Sequence, residues 1–319
     1  MLSCWPWAQT NPLVHPFQAL TAFSEFPGQH MNFFEGRYFL STGMPWYYAP
    51  KWLLLTLPEF VFLGLLAGSA CLVFRIIRSG WAGRLLQTAV PVFGALFPLA
   101  YLVLARIPVY DATRHFLFVV PPLVVLSAVG VIQVSRLLRG KWPVGLCLVV
   151  SGLLMHTLVE MVVLHPNQYV YFNRMVAGGL PQASKLYDVE YWDNSFRMGV
   201  RWLESVFQSP SEYKWRVAAE AAGDTQHLLD GDRFVYVENP WEADFYLVPT
   251  HGNMQRLVPG EVLHVVEARG VPFLYVIRPD SSYADDPLFD SGKHPFYESR
   301  MGDLYRIRCL TGNSLGENI

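Results

Sequence analysis

Residues 143–164 read PVGLCLVVSGLLMHTLVEMVVL, and His156 and Glu160 are the only acidic or basic residues in that run. A helix of about 20 apolar residues crosses the hydrocarbon of a bilayer. Three runs of similar character precede it, at residues 53–74, 85–105 and 115–135. Because a bilayer offers the backbone no hydrogen-bond partners, such runs cross it as helices. The sequence therefore predicts an α-helical membrane bundle of four transmembrane helices within residues 52–164.

A soluble protein with four buried helices is the alternative. The four runs are joined by short connections, and none of them keeps a polar face for water. The composition also favours a membrane, since 52% of the chain is hydrophobic and 16% is charged, whereas soluble domains are about 25% charged. A membrane protein is therefore the favoured interpretation.

The two parts of the chain differ in charge. Residues 1–164 carry ten Lys and Arg against five Asp and Glu, and residues 165–319 carry fourteen against twenty-one, for a net charge of −2. This near-neutral total gives no electrostatic basis for a nucleic-acid partner. The 15% of aromatic residues exclude a disordered chain, and four cysteines are too few for a disulfide scaffold. We expect a membrane part, with lipids as partners, followed by an acidic soluble part.

The basic residues between the runs predict the orientation. The first connection contains Arg75, Arg78 and Arg84, and the third contains Arg136, Arg139 and Lys141, both without an acidic residue. Because cytoplasmic loops are enriched in Lys and Arg, these two connections are expected in the cytoplasm. The expected location is the plasma (inner) membrane, crossed several times, with the N-terminal stretch and the C-terminal domain on the outer, periplasmic side.

Four regions follow from this pattern. They are an external aromatic-rich loop at residues 1–51, the four-helix transmembrane region at 52–164, a linker segment and helix at 165–207, and an external α/β domain at 208–319. The first 20 residues lack the basic start and apolar core of a signal peptide. The sequence therefore predicts an upstream spanning segment in a longer polytopic protein. A complete protein with an external N-terminus is the alternative.

The last region is predicted to be a small soluble α/β domain. Residues 194–207 have helical spacing of apolar residues, with Asn194 as a candidate N-cap. Five short runs rich in Val, Ile, Tyr and Phe predict strands at 215–218, 233–237, 245–248, 262–267 and 273–278. Residues 219–229 suit an intervening helix, and residues 279–295 are predicted to be loop.

Ionisable residues of the membrane part gather at the outer ends of the predicted helices. Arg106, Arg114 and His115 belong to the second connection, and Glu160 and His165 lie at the end of the fourth run. Charged side chains within membrane helices usually face the interior of the bundle or a water-filled cavity. Arginine also binds phosphate groups well. These five residues therefore predict a substrate-binding pocket for a lipid-linked phosphate. Snorkelling of side chains to the interface is the alternative.

Trp46, Tyr47 and Tyr48, just before the first run, allow two interpretations. Together with Trp52, they are typical of an aromatic belt at the membrane interface. Aromatic rings also stack on sugars and prenyl chains, which makes Trp46, Tyr47 and Tyr48 candidates for substrate binding. No G-x-G-x-x-G, P-loop, H-E-x-x-H, G-x-S-x-G or C-x-x-C motif occurs. From the residues alone we assign no catalytic residue, no metal ligand and no cofactor.

Three blocks carry a family resemblance. They are GMPWYYAPKWLLLTLP at 43–58, DATRHFLFVVPPL at 111–123, and HPNQYVYFN, AGG and YWD within 165–193. They resemble the C-terminal half of bacterial GT-C-type glycosyltransferases of the dolichyl-phosphate-mannose–protein mannosyltransferase-like class, over about residues 15–207. The chain departs from that family in two places. Asp193 and Asn194 stand where the family usually has Trp-Gly, and the acidic first external loop has no counterpart.

The resemblance implies a transferase that takes a sugar from a polyprenyl-phosphate donor at the outer membrane face. It implies that Arg114 and His115 lie near the donor phosphate and that residues 31–48 cover the donor or the acceptor. Either basic residues or a divalent metal in the full-length protein would stabilise the leaving phosphate. The expected function is therefore the C-terminal portion of a membrane glycosyltransferase that is incomplete without an upstream catalytic region.

Two other functions are weighed against this one. A non-catalytic membrane protein, whose external domain binds a partner or a glycan, is the alternative. A transporter is disfavoured, because transporters bind their substrates near the bilayer midplane, whereas the ionisable groups of this sequence gather at one end of the helices.

Overall fold

The computed structural model describes residues 5–12, 14–24, 30–79, 85–208, 213–250 and 259–283. Its helices are α1 (Pro6–Thr10), α2 (His15–Ser24), α3 (Tyr48–Thr56), α4 (Glu59–Ser79), α5 (Leu85–Leu104), α6 (Val120–Leu137), α7 (Trp142–Val163), α8 (Arg174–Ala177), α9 (Leu180–Ala183), α10 (Asn194–Val206) and α11 (Ala222–Leu228). Its strands are β1 (Met31–Phe34), β2 (Arg37–Leu40), β3 (Trp215–Ala219), β4 (Phe234–Tyr236), β5 (Phe245–Pro249), β6 (Gly260–Ala268) and β7 (Val271–Pro279). A helical part therefore precedes a sheet domain.

Two helices in the described part of the chain are long and apolar enough to cross a membrane. One is Arg114–Leu137, in which the 3₁₀ turn Arg114–Val119 leads into α6, and the other is α7. The most apolar stretch of α7 has no residue buried inside the protein. The third and fourth predicted runs are therefore confirmed as helices of spanning length, which is consistent with a membrane protein.

The first predicted run, residues 53–74, forms two helices instead of one. Helix α3 ends at Thr56, Leu57 is extended with φ −67° and ψ 132°, and α4 begins at Glu59. The two helices are bent by 115° relative to each other. Pro58 explains the break, because proline lacks an N–H and pushes the preceding residue out of the helical region. The prediction of one helix here was wrong, and the bent pair makes at most one crossing.

The second predicted run corresponds to α5. Helix α5 has 20 residues and contains Pro91 and Pro98. Within the residues whose side chains the structure describes, its apolar stretch Ala89–Leu104 is below spanning length. Of the four predicted transmembrane helices, two therefore have the full length and apolar character within the described residues. If the bent pair α3–α4 is counted as one span, the number of candidate spans is three.

Helix α4 packs closely against α6 where both are lined by small residues. A Cβ atom added at Gly130 would lie 2.1 Å from the carbonyl oxygen of Gly64, and one added at Gly64 would lie 2.0 Å from Oγ of Ser127. Small residues let the backbones of membrane helices approach each other. The short distance between α4 and α6 therefore requires glycine, which has no side-chain atoms, at Gly64 and Gly130.

The N-terminal region, predicted to be a loop, contains regular structure. Strands β1 and β2 form an antiparallel hairpin whose turn residues Glu35 and Gly36 have φ of 54° and 74°. Glycine adopts such backbone readily. Phe34 is buried with its ring 4.9 Å from that of Tyr48 and 6.5 Å from that of Trp52. The aromatic-belt interpretation is therefore wrong for Tyr48 and Trp52, whose rings are buried in the core instead of facing a membrane interface.

The C-terminal domain is a five-stranded mixed sheet with strand order β4-β3-β5-β7-β6. Strand β3 pairs in parallel with β4 and β5, whereas β7 pairs antiparallel with β5 and β6. All five predicted strands are present. Helix α10 covers one face, where Phe196, Val200 and Leu203 pack in one core with Leu247 and Leu274.

The helices and the terminal loop of this domain agree with the predictions in part. Helix α11 confirms a helix within residues 219–229. Asn194 is the first residue of α10 and not its N-cap, a position that Asp193 occupies with φ 55° and without a side-chain hydrogen bond. Ser281–Tyr283 of the predicted loop is a 3₁₀ turn, and residues 284–295 lie outside the described residues.

The sheet domain contacts the helical part through the start of β7. Val271 and Phe273 are buried in the same hydrophobic core as Trp52 of α3 and Phe34 of the hairpin. This packing brings the β6–β7 turn, with Arg269, close to the end of α7, where Arg269 pairs with Glu160. The fold thereby joins residues from both parts of the chain in one polar site.

Candidate functional site

Arg114 lies at the centre of a group of aromatic and ionisable side chains, which we name the Arg114 cluster: His30, Tyr110, Asp111, Arg114, His115 and Trp192. The guanidinium carbon of Arg114 lies 5.5 Å from the ring centre of Tyr110 and 5.6 Å from that of Trp192. Its Nη1 donates to Oδ2 of Asp111 over 2.8 Å. Two aromatic faces and one carboxylate therefore hold this cation in place.

The backbone before Arg114 is strained and is held by two other elements. Asp111 and Ala112 have φ of 52° and 58°, a left-handed conformation that costs residues with a side chain about 1 kcal/mol or more. The N–H of Asp111 donates to Oδ1 of Asn32, and that of Ala112 donates to the hydroxyl of Tyr48. The hairpin and α3 thereby fix the turn that directs Arg114.

His115 also contacts the ring of Tyr110. The Tyr110 ring is 4.4 Å from the His115 ring at 64°, and 4.2 Å from the His30 ring at 27°. Nε2 of His115 is buried and has no hydrogen-bond partner within the described residues. A buried polar atom without a partner is costly, so this nitrogen is available to a ligand or a water molecule.

The chemistry of the cluster suits an anion. Arg114 has a side chain 44% exposed and uses one nitrogen on Asp111, and a guanidinium carries five N–H donors. Charge-assisted bonds from Arg to phosphate oxygens are about twice as strong as neutral ones. The cluster brings together two of the predicted site residues, Arg114 and His115.

Glu160 belongs to a different group of contacts, at the end of α7. Its Oε1 accepts a hydrogen bond from Arg174 over 2.8 Å and its Oε2 accepts one from Arg269 over 3.0 Å. Glu59, at the start of α4, accepts from the Tyr171 hydroxyl and from the backbone N–H of Arg174. The contacts of the described residues therefore place Glu160 and Arg114 in two groups, where the sequence predicted one pocket.

The other predicted site residues are dispersed. Arg106 is exposed and has a left-handed φ of 50°, and His165 is exposed with its Nδ1 2.8 Å from Nε2 of Gln168. Trp46 is exposed, with its ring 5.7 Å from that of Tyr47. Tyr48 is buried and offers no face to a ligand.

Tyr47 takes part in a local ion pair. Its hydroxyl donates to Oε2 of Glu35 over 2.9 Å, while Lys51 pairs with the other carboxylate oxygen. The hydrogen bond from Lys51 lowers the pKa of Glu35. The hairpin turn is thereby tied to α3, and Trp46 alone of the three predicted aromatic residues is largely exposed.

A buried carboxyl that the sequence did not indicate lies next to the Arg114 cluster. Glu190 is fully buried, and the Tyr169 hydroxyl donates to its Oε2 over 2.7 Å. The Tyr169 ring lies 6.5 Å from that of Trp192. Burial raises the pKa of Glu190 to about 7. A lone Glu in a polar stretch gives no sequence signal for burial, although its aromatic neighbours Tyr191 and Trp192 offered a weak one.

A second carboxyl in the sheet domain is also perturbed. Burial raises the pKa of Glu220 to about 8, and the Tyr246 hydroxyl contacts its Oε2 over 3.4 Å. The negative charge of Asp193 raises the pKa of both Glu190 and Glu220. Among the residues that the structure describes, no group of three or more His, Cys, Asp or Glu is arranged to hold a metal ion.

Replacement of Glu190 by Gln should make the protein more stable at high pH. The folded protein keeps the Glu190 proton up to about pH 7, whereas an unfolded chain releases it near 4.5. The contribution of the Glu190 carboxyl to stability is therefore complete below pH 4.5, falls between 4.5 and about 7, and decreases by about 3 kcal/mol in total. Unfolding free energies in detergent should match for the native and Glu190→Gln proteins at pH 4 and favour the variant at pH 8. Equal differences at both pH values would contradict this, and exposed Glu238→Gln is the control.

Comparison with known proteins identifies no relative. No protein-family model matches the chain, and neither a curated protein nor a solved structure matches it.

Proposed function

We propose that this chain functions in an integral-membrane glycosyltransferase that uses a polyprenyl-phosphate-linked sugar as its donor. The Arg114 cluster binds the donor phosphate. In the reaction, the bond between the anomeric carbon and the phosphate oxygen breaks, and an acceptor hydroxyl oxygen bonds to that carbon and releases its proton to water. The polyprenyl phosphate leaves with the negative charge, which the Arg114 guanidinium stabilises electrostatically.

The position of Arg114 carries this proposal. The residue opens the apolar helix Arg114–Leu137, which has spanning length, so its guanidinium lies at the boundary between a polar site and an apolar helix. A polyprenyl phosphate has the same division, with an anionic group on a long apolar chain. Nε2 of His115, which has no hydrogen-bond partner within the described residues, adds a second nitrogen to the same cluster.

The membrane arrangement is part of the proposal. We propose that the bent pair α3–α4 and the helix α5 lie in the bilayer with Arg114–Leu137 and α7, in the inner membrane. The basic connection with Arg136, Arg139 and Lys141 would face the cytoplasm. The Arg114 cluster, at the opposite end of α6, and the sheet domain would then face the outer side.

Arg114→Ala should weaken the binding of undecaprenyl phosphate at least about tenfold, because a hydrogen bond to a charged group contributes roughly 1.5–3 kcal/mol. Affinity is measured on the full chain in detergent, with undecaprenol, which lacks the phosphate, as the ligand control. Arg139→Ala removes one charge at the other end of α6 and should leave the affinity unchanged. Equal affinity of the native and Arg114→Ala proteins would remove Arg114 from the site.

A transfer assay separates an enzyme from a non-catalytic binding protein. Membranes that contain the chain are supplied with undecaprenyl-phosphate-linked hexoses, and the release of undecaprenyl phosphate is measured. Release that depends on Arg114 supports the transferase. Binding of undecaprenyl phosphate without release from any hexose donor would instead favour a membrane protein that binds a glycan or a partner.

A further inference from the structure

The carboxylate of Glu160 lies in the last turn of α7 and is largely buried, and it holds two arginines at once. Arg174 and Arg269 each direct one Nη2 to a different oxygen of it, over 2.8 and 3.0 Å. The two guanidiniums therefore lie side by side on one anion. Among the described residues, Glu160 is the carboxylate that both guanidiniums contact.

Both arginines are attached to fixed backbone. Arg174 is the first residue of α8, and its N–H donates to Oε1 of Glu59 over 2.7 Å. Arg269 lies in the β6–β7 turn with φ 55°, followed by Gly270 with φ 73°. The start of a helix and a tight turn thus hold the two arginines, which come from distant parts of the sequence. Because this backbone is already fixed, a ligand would lose less binding free energy to ordering the protein.

The guanidiniums keep donors for a further partner. The Arg174 and Arg269 side chains are 64% and 36% exposed, whereas that of Glu160 is 11% exposed. Each arginine uses one nitrogen on Glu160, and a guanidinium has five N–H donors in a planar fork that fits phosphate. The negative charge of Glu59 is buried and engaged by Tyr171 and by the Arg174 backbone. The outward surface is therefore cationic.

Exposed apolar side chains flank the arginine pair. Val162 and Val163 end α7 with exposed side chains, and Met175 and Val176 are exposed in α8 directly after Arg174. In a bilayer that α7 crosses, this position is the boundary between hydrocarbon and headgroups. Arginine side chains at such a boundary pair with lipid phosphates.

We propose that Arg174 and Arg269 bind the phosphate of an anionic phospholipid of the surrounding bilayer. The phosphate oxygens accept hydrogen bonds from the free sides of the two guanidiniums, and the acyl chains lie along the exposed apolar face of α7. The site is separate from the Arg114 cluster, so it does not depend on the proposed glycosyltransferase function. It depends on α7 crossing a membrane.

The test measures phosphatidylglycerol binding to the full chain in detergent by native mass spectrometry. The test variant combines Glu160→Gln, Arg174→Gln and Arg269→Gln, so that no carboxylate is left buried without a partner. It should bind phosphatidylglycerol at least about tenfold more weakly than the native protein. Exposed Arg197→Gln, which changes the net charge by the same one unit, should bind it as the native protein does. Equal affinity of the test variant and the native protein would overturn the proposal.

Two further arms identify the source of the phosphate and separate this site from the donor site. Diacylglycerol with the same acyl chains should bind weakly, and excess inorganic phosphate should leave phosphatidylglycerol bound; displacement by inorganic phosphate would overturn a lipid site. Arg114→Ala should retain phosphatidylglycerol binding, and the test variant should retain binding of undecaprenyl phosphate. Loss of phosphatidylglycerol in Arg114→Ala would show that the lipid occupies the donor site and would also overturn the proposal.

Discussion

Gly130→Ala should destabilise the helical part by about 3 kcal/mol or more. The new Cβ would lie 2.1 Å from the carbonyl oxygen of Gly64 and 2.7 Å from the backbone nitrogen of Gly68. Overpacking usually costs 1–3 kcal/mol, and here the obstructing atoms are backbone, so a rotamer change cannot relieve the clash. Helices α4 and α6 must separate. The free energy of unfolding in detergent is the measurement.

Gly152→Ala is the matched control. Gly152 lies in α7, and a Cβ added there meets no atom within 4 Å. Alanine favours a helix over glycine by about 1 kcal/mol, so this variant should be as stable as the native protein or slightly more stable. If Gly130→Ala and Gly152→Ala gave the same unfolding free energy, the close α4–α6 crossing would be refuted.

Asn173→Leu should have a comparable effect through lost hydrogen bonds. The Asn173 amide donates to the carbonyl oxygens of Leu54 and Leu57 over 2.6 and 2.9 Å, and its Oδ1 accepts from the N–H of Val176 over 2.8 Å. The side chain is almost fully buried. Each polar group left buried without a partner costs about 1–3 kcal/mol. We therefore expect a loss of about 3 kcal/mol or more in unfolding free energy.

The break between α3 and α4 explains why Asn173 matters for stability. Helix α3 ends at Thr56, and its last carbonyl groups lack the partners that a continuing helix would supply. Asn173 supplies them from a distant part of the chain. Asn194→Leu is the control, because Asn194 is exposed and makes one long contact of 3.4 Å to the Pro166 carbonyl. A loss in Asn173→Leu no larger than in Asn194→Leu would show that Asn173 does not support the break.

The break also shows how far the sequence alone could predict the fold. Pro58 marks a local interruption that is visible in the sequence, and it suggests that a helix ends nearby. Pro58 does not predict the bend of 115°, nor does it predict which residue donates hydrogen bonds to the carbonyl groups at the end of α3. Asn173 is 116 residues from Leu57. The YFN residues of the third resemblance block therefore support the bent helix pair.

The candidate site was also predicted only in part from the sequence. Arg114 and His115 could be proposed from their place next to an apolar run. Their partners Tyr110 and Trp192, and the strained turn held by Asn32, could not. Glu160 was expected in the same pocket, but its contacts are Arg174 and Arg269, neither of which the sequence analysis selected. Glu190 was missed because burial of a single carboxyl leaves no periodic pattern.

Although it did not predict the β1–β2 hairpin or the break between α3 and α4, the sequence by itself determined that α6 and α7 are apolar helices and that β3 to β7 are strands. Those properties depend on the hydrophobicity and spacing of neighbouring residues, as in α7 and the five strands of the sheet. Only the tertiary structure decided which charged side chains meet, because Arg114 contacts Trp192, and Glu160 contacts Arg269, across long stretches of chain. Contacts of that kind depend on where the backbone turns and packs, and local composition does not contain that information.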